Sequence, residues 1–288
     1  MEKRSWVCTL IVQTSLCFTV FLALNVGRPQ KLNNGGKSSR PLDIYFFSVR
    51  GGFRALKQQN HLLNLMDRVA KTYKARFVVN ISELGEDDPL TLNGTRHFSS
   101  LKVPWYTTGA FKGLRADYFQ KKINFLDWKS LEIIVVDTGS LQDSMLLESD
   151  DQFLWLKRTL EEPKADWRIV IGFHQLLVCE ENEVQVVAKQ AYEPLHHTLE
   201  KFGVDMYLSE QNCAKHARKG SVSYIGIPSP TDRYYFDFVD GASVAAKDMI
   251  NGFLLHRVSS LEIVTYFITS TGEIMARATT RQKGREVV

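Results

Sequence analysis

Trp167-Arg168-Ile169-Val170-Ile171-Gly172-Phe173-His174-Gln175 reads as a buried strand running into a turn, and Gly203-Val204-Asp205-Met206-Tyr207-Leu208 as the next strand. Each is a short, apolar, largely β-branched or aromatic run bounded by glycine and polar residues, the mark of a strand covered on both faces. Between them Val184, Val187, Ala191, Leu195, Leu199 and Phe202 recur at helical spacing. That spacing predicts one long helix, which Gly203 stops. A strand, a helix and a second strand in this order form a crossover unit, so the two strands lie parallel in one sheet.

The same alternation extends upstream. Asp43 to Phe47 reads as a strand; Leu62, Met66, Val69 and Tyr73 mark a helix; Ala75 to Asn80 and Ile133 to Val136 read as buried parallel strands. Phe153, Leu156 and Leu160 lie on one face of a further helix that ends before Pro163. Downstream the pattern changes. Phe253 to Val258, Glu262 to Ile268 and Glu273 to Thr279 are strand-like, the last two joined by Thr269-Ser270-Thr271-Gly272. Pattern alone therefore predicts an α/β domain finished by an antiparallel meander.

The chain has 288 residues, enough for one sizeable core and too few for two large domains. Its net charge of +4 is mild, and the basic cluster Arg281, Lys283 and Arg285 reads as a solvated tail, so no nucleic-acid partner is expected. From Trp6 to Val26 the chain is apolar apart from Gln13 and a few Ser, Thr and Cys residues. That length suits a bilayer core, so residues 1–27 are read as a signal anchor, or as a signal peptide if cleaved. Residues 28–41, rich in Gly, Asn, Ser and charge, form a flexible tether, and 42–288 the folded domain. Cys179 and Cys213 both fall after strands, so a disulfide between them is open in an oxidising compartment, with two free thiols as the alternative. Asn93-Gly94-Thr95 is a glycosylation sequon on an expected polar loop; Asn80-Ile81-Ser82 also matches but ends a buried strand.

Phe77-Val78-Val79, Pro104-Trp105-Tyr106, Val135-Val136-Asp137-Thr138, Trp167 to His174 and Gly203 to Tyr207 resemble the strands and strand-end turns of purple acid phosphatases, a branch of the calcineurin-like metallophosphoesterases. The resemblance runs from Asp43 to about Thr280. It implies a sandwich of two mixed β-sheets flanked by helices. It also implies a dinuclear metal centre built from Asp, Asn, His and Tyr on the strand-end loops, and there this chain departs from the family. The family's Gly-Asp-Trp-Gly matches Ser48-Val49-Arg50-Gly51, which places Val49 at the first ligand, with the register open by one residue. Gly-Asp-Asn-Phe-Tyr matches Ser82 to Glu86, so Glu83 stands for the bridging Asp and Glu86 for the Tyr. Gly-Asn-His-Asp matches Gly109-Ala110-Phe111-Lys112, with Ala110 for the Asn ligand and Phe111 for the substrate-contacting His. Phe173 replaces the next His, and Gln211 and Cys213 the last two.

Hard dications need oxygen and imidazole donors, and most of these positions offer none. The expectation is a protein of the secretory pathway with a phosphatase scaffold and no catalytic centre, cofactor or metal, acting by binding. It would be membrane-anchored through its N-terminal segment with a luminal or extracellular domain, or secreted if that segment is cleaved. Its partner would be a protein, or a phosphorylated or glycan ligand. The alternative is a working acid phosphatase that uses unusual ligands, drawing on Glu83, Glu86, Asp87, Asp88, His174 and Cys213. His196-His197 is not a metal pair, because adjacent helical residues diverge.

Overall fold

The computed structural model describes residues 13–14, 43–109, 118–126, 129–142, 150–179, 186–210, 217–227, 236–237, 243–244 and 252–281. The chain divides into two compact units, Met1–Ser39 and Arg40–Val288. Of the first, only Gln13 and Thr14 are described, both helical; the expected anchor and tether otherwise lie outside the described residues. Among the described residues no helix is long and apolar enough to cross a membrane.

The second unit opens with β1 (Ile44–Arg50), α1 (Leu56–Tyr73), β2 (Val78–Ile81), α2 (Pro89–His97) and β3 (Trp105–Thr107). There follow β4 (Phe119–Leu126), β5 (Lys129–Val135), α3 (Asp151–Glu161), β6 (Trp167–Ile171), β7 (Leu177–Cys179) and β8 (Val186–Ala188). The chain continues through α4 (Glu193–Lys201), β9 (Met206–Ser209), β10 (Ala217–Lys219), β11 (Val222–Gly226), β12 (Phe236–Asp237) and β13 (Ser243–Val244). It finishes with the meander β14 (Phe253–Val258), β15 (Glu262–Ile268) and β16 (Ile274–Arg281).

Two six-stranded sheets result, ordered β16-β15-β14-β1-β2-β3 and β10-β11-β9-β6-β5-β4. In the first, β1, β2 and β3 are parallel and the meander pairs antiparallel onto β1. In the second, β5, β6, β9 and β11 are parallel, with β4 and β10 antiparallel at the edges. This is the expected sandwich of two mixed sheets with helices outside and an antiparallel finish.

Alternation along the strands sorts the side chains into three layers. Ile44, Phe46, Phe77, Val79 and Ile81 pack against Ile133, Val135, Ile169, Ile171, Met206 and Leu208 between the sheets. Phe47, Val49 and Val78 face the other way, onto Leu62, Leu63 and Met66 of α1. Ile134, Val136, Val170 and Tyr207 take Phe153, Leu156 and Leu160 of α3 and Leu195 and Leu199 of α4. Each apolar face is thus closed by a partner layer, the main favourable term in folding.

Two expectations need correction. The long helix expected from Val184 to Phe202 is only α4, preceded by β8 and a 3-10 turn at Gln190–Tyr192. Pro194 is the reason: it sits in the first turn of α4, where its missing N–H is harmless, and would have broken a helix passing through it. Gly203 does stop the helix, at φ 62°. The loop expected around Asn93 is α2, with Pro89 in its first turn and Asp88 as N-cap.

Candidate functional site

In open α/β sheets ligands gather at the carboxyl ends of parallel strands, and here those ends from both sheets meet. The contact is an ion pair between Arg50, at the end of β1, and Glu210, just after β9. β1 alternates strictly: Val49 turns toward α1 and is wholly buried there, while Arg50 turns toward the opposite sheet. Of the two registers the sequence allows, it is therefore Arg50 that faces across the cleft. A fixed positive charge stands on the rim where a cation would need a carboxylate.

The residues around the pair are held firmly. The Gly51 N–H donates to the Ile81 carbonyl at 2.8 Å, and the Gly52 N–H to Asp88 Oδ2 at 2.6 Å. Arg54 folds back to donate from Nη2 to the Arg50 carbonyl at 2.6 Å. A Cβ on Gly51 would lie 2.5 Å from Asp88 Oδ2 and 2.6 Å from Asn80 Oδ1, so only glycine fits between these loops. Asp88 is fully buried; it also accepts from Ser82 Oγ at 2.5 Å and caps α2 through the Leu90 N–H at 2.8 Å. The acidic run is therefore not one solvated loop: Glu86 and Asp87 are exposed, but Asp88 is structural. Glu83 is exposed as well, and neighbouring Leu84 bridges to Gly109.

On the facing sheet, Phe173 is 8% exposed and packs into the layer between the sheets at the top of β6. Its carbonyl accepts from the Glu210 N–H at 3.0 Å, which places its ring's turn beside the ion pair. His174 is committed to local bonds. It shares one with Thr138 Oγ1 through Nδ1 at 2.9 Å, stacks on Tyr192 at 5.9 Å between ring centres, and lends its carbonyl to the Tyr207 hydroxyl at 2.7 Å. Burial, and then the charge of Lys189, lower its pKa, which keeps the ring neutral. Asp137 is spent on its own turn, accepting from the Gly139 N–H at 2.9 Å.

Ala110, Phe111, Gln211 and Cys213 lie outside the described residues, as does the side chain of Cys179. The choice between a Cys179–Cys213 disulfide and two free thiols thus falls outside the described residues. His196 and His197 diverge as their spacing requires. The first is buried against the Tyr224 hydroxyl at 2.5 Å, the second exposed. His196 also lies 3.8 Å from Glu200, but burial lowers its pKa, so this is a contact to a neutral ring and not an ion pair.

Below the rim lies a polar chain that sequence reading missed. Ser48 Oγ and His256 Nε2 are 2.7 Å apart, and His256 Nδ1 and Thr265 Oγ1 2.9 Å apart, all three residues fully buried. Burial lowers the His256 pKa to about 3. The ring stacks on Phe46 at 4.4 Å, so this serine–histidine contact is sealed inside the apolar layer and has no path to a substrate.

A dinuclear centre does not fit the described part of this rim. Guanidinium and phenyl groups carry no lone pair for a dication, and Arg50 would repel one. Among the described residues no three His, Cys, Asp or Glu side chains converge closely enough to hold an ion.

No family model matches the chain. No curated protein matches it by sequence. Solved structures do match. One is GAP50, the anchor in the inner membrane complex of Plasmodium, at a TM-score of 0.63 and 16% identity, covering 85% of this chain and 91% of that one. Another is PhoD, at a TM-score of 0.50 and 10% identity, covering 88% of this chain and 74% of that one. At such identities the likeness is one of fold alone, and the fold is the metallophosphoesterase sandwich.

Proposed function

We propose that this chain is a purple acid phosphatase-like protein that has lost its dinuclear centre and works by binding. It is held at a membrane of the secretory pathway by its N-terminal segment, with the domain on the luminal or extracellular side, or is secreted if that segment is cleaved. The observation that carries this reading is the Arg50–Glu210 pair with Phe173 beside it, occupying the strand-end rim that metal ligands would need. A scaffold alone supplies no chemistry, so a rim whose described residues bring no three metal-ligating side chains together argues for recognition. The partner is a protein, or a phosphorylated or glycan ligand, seated on that rim.

Membrane attachment draws on the apolar run from Trp6 to Val26, and on the description of one fold relative as an anchor in a membrane complex. Of the two sequons, Asn80 is wholly buried and Asn93 half-buried, so an N-glycan on the folded domain sits at Asn93.

The enzymatic half is tested by aryl-phosphate hydrolysis at acidic pH with the purified protein. No turnover above the buffer rate is expected, whereas turnover lost in Glu83→Ala would restore the hydrolase reading. The membrane half is tested by alkaline carbonate extraction: the full chain stays with the membrane pellet, and full release to the supernatant would contradict an anchor. A mobility shift on endoglycosidase treatment, absent in Asn93→Gln, checks the glycan.

A further inference from the structure

We propose that Arg50 is the seat for an oxyanion in this cleft, and that Glu210 is the chain's own occupant of that seat. The inference rests on the binding function proposed above and names the chemistry that the site accepts.

A guanidinium presents parallel N–H donors that match the paired oxygens of a carboxylate or phosphate, and this fork geometry makes arginine a recurrent anion reader. Arg50 holds such a partner now, in the Glu210 carboxylate. Its placement separates it from an ordinary surface pair. The two residues come from different sheets, at the strand ends where this class of fold collects ligands. The pair is neither sealed nor fully solvated: the Arg50 side chain is 31% exposed and that of Glu210 15%. A ligand can therefore reach the guanidinium from solvent, while the Phe173 side excludes water and strengthens a charge-assisted bond.

Both backbones are preorganised. Arg54 and the Gly51–Ile81 bond fix the base of Arg50, and the Glu210 N–H is tied to Phe173. An incoming oxyanion that takes the place of the Glu210 carboxylate thus meets backbones that are already fixed. The exposed acidic side chains of Glu83, Glu86 and Asp87 follow β2, next in the sheet to β1, and repel an anion that extends toward them, so the seat suits a compact one.

The shared chemistry is a forked oxyanion, and phenyl phosphate and benzoate separate its two sources. Binding of each probe to the full-length protein is measured by calorimetry, with metal content determined on the same samples. Glu210→Gln removes the internal competitor and tightens binding about tenfold, the ratio that ~1.4 kcal/mol gives. Arg50→Gln abolishes binding, and Arg50→Lys, which keeps the charge without the fork, weakens it while thermal unfolding stays cooperative. Preference for phenyl phosphate marks a phosphorylated ligand, and equal or better binding of benzoate a carboxylate. Binding that is the same in all variants, or absent in Glu210→Gln, overturns the proposal and leaves the pair a clamp between sheets. Stoichiometric metal in the native samples would instead overturn the loss of the dinuclear centre, independently of the binding result.

Discussion

Gly172→Ala tests how the turn carrying Phe173 and His174 is built. A Cβ at this position would lie 2.3 Å from the Tyr207 hydroxyl oxygen and 2.5 Å from Thr138 Cγ2, far inside contact distance. Neither neighbour can retreat. Tyr207 is fully buried between β6 and α4, and its hydroxyl is bonded to the His174 carbonyl at 2.7 Å. Overpacking of this kind costs about 1–3 kcal/mol. Displacing the hydroxyl strands a buried donor and acceptor, about 1–3 kcal/mol more. The expected loss is therefore about 2–6 kcal/mol, read from urea midpoints with unchanged slope.

Tyr207→Phe removes the clashing oxygen and should cost only about 1–2 kcal/mol alone, for one lost hydrogen bond. In the double variant the alanine gains room, so the combined loss should fall below the sum by at least about 1 kcal/mol. Strict additivity, or a Gly172→Ala loss under about 0.5 kcal/mol, would refute this account of the turn.

Arg168 and Glu132 form a fully buried ion pair, with Arg168 also donating to the Leu160 carbonyl at 2.9 Å. Arg168→Met leaves Glu132 buried without its guanidinium partner and should cost about 3–5 kcal/mol in denaturant titrations. His256, depressed to about 3 from 6.5, gives an acid-sensitive core. The unfolded chain takes up the proton first as pH falls below 6.5, so stability present above that pH is lost progressively toward pH 3. Between pH 6.5 and 4.5 the native protein should lose about 2–3 kcal/mol from this residue, and His256→Gln should flatten that slope. Equal slopes in the two proteins would remove His256 as the cause.

The layers of the sandwich were legible because the buried strands are short, mainly apolar runs and the helices α1 and α3 show their stripes. The exception is α4. Its apolar spacing continues backward through Val187 and Ala191, and periodicity alone outvoted the stop signal in Pro194. At α2 the reverse happened: Asp88-Pro89 is a helix start written in full, but the sequon drew the segment toward a loop. The hairpin β4–β5 passed unseen for most of its length, since Lys121, Lys122 and Asn124 make its edge strand look polar.

At the site, sequence could name the ligand position at the end of β1 only to within one residue. A strand's period of two then decides between opposite faces, and the structure puts Arg50 on the inner one. Its partner Glu210 is far along the chain, and no local pattern links the two. The same holds for Ser48 with His256 and for Arg168 with Glu132, pairs made by sheet register and crossover packing.

The central claim concerns what the strand-end rim can hold. The most direct measurement is metal content of the purified full-length protein after incubation with iron, zinc and manganese and removal of excess by gel filtration. This account predicts only traces of metal, unchanged in Glu83→Ala. Two ions per chain, lost in that variant, would contradict it.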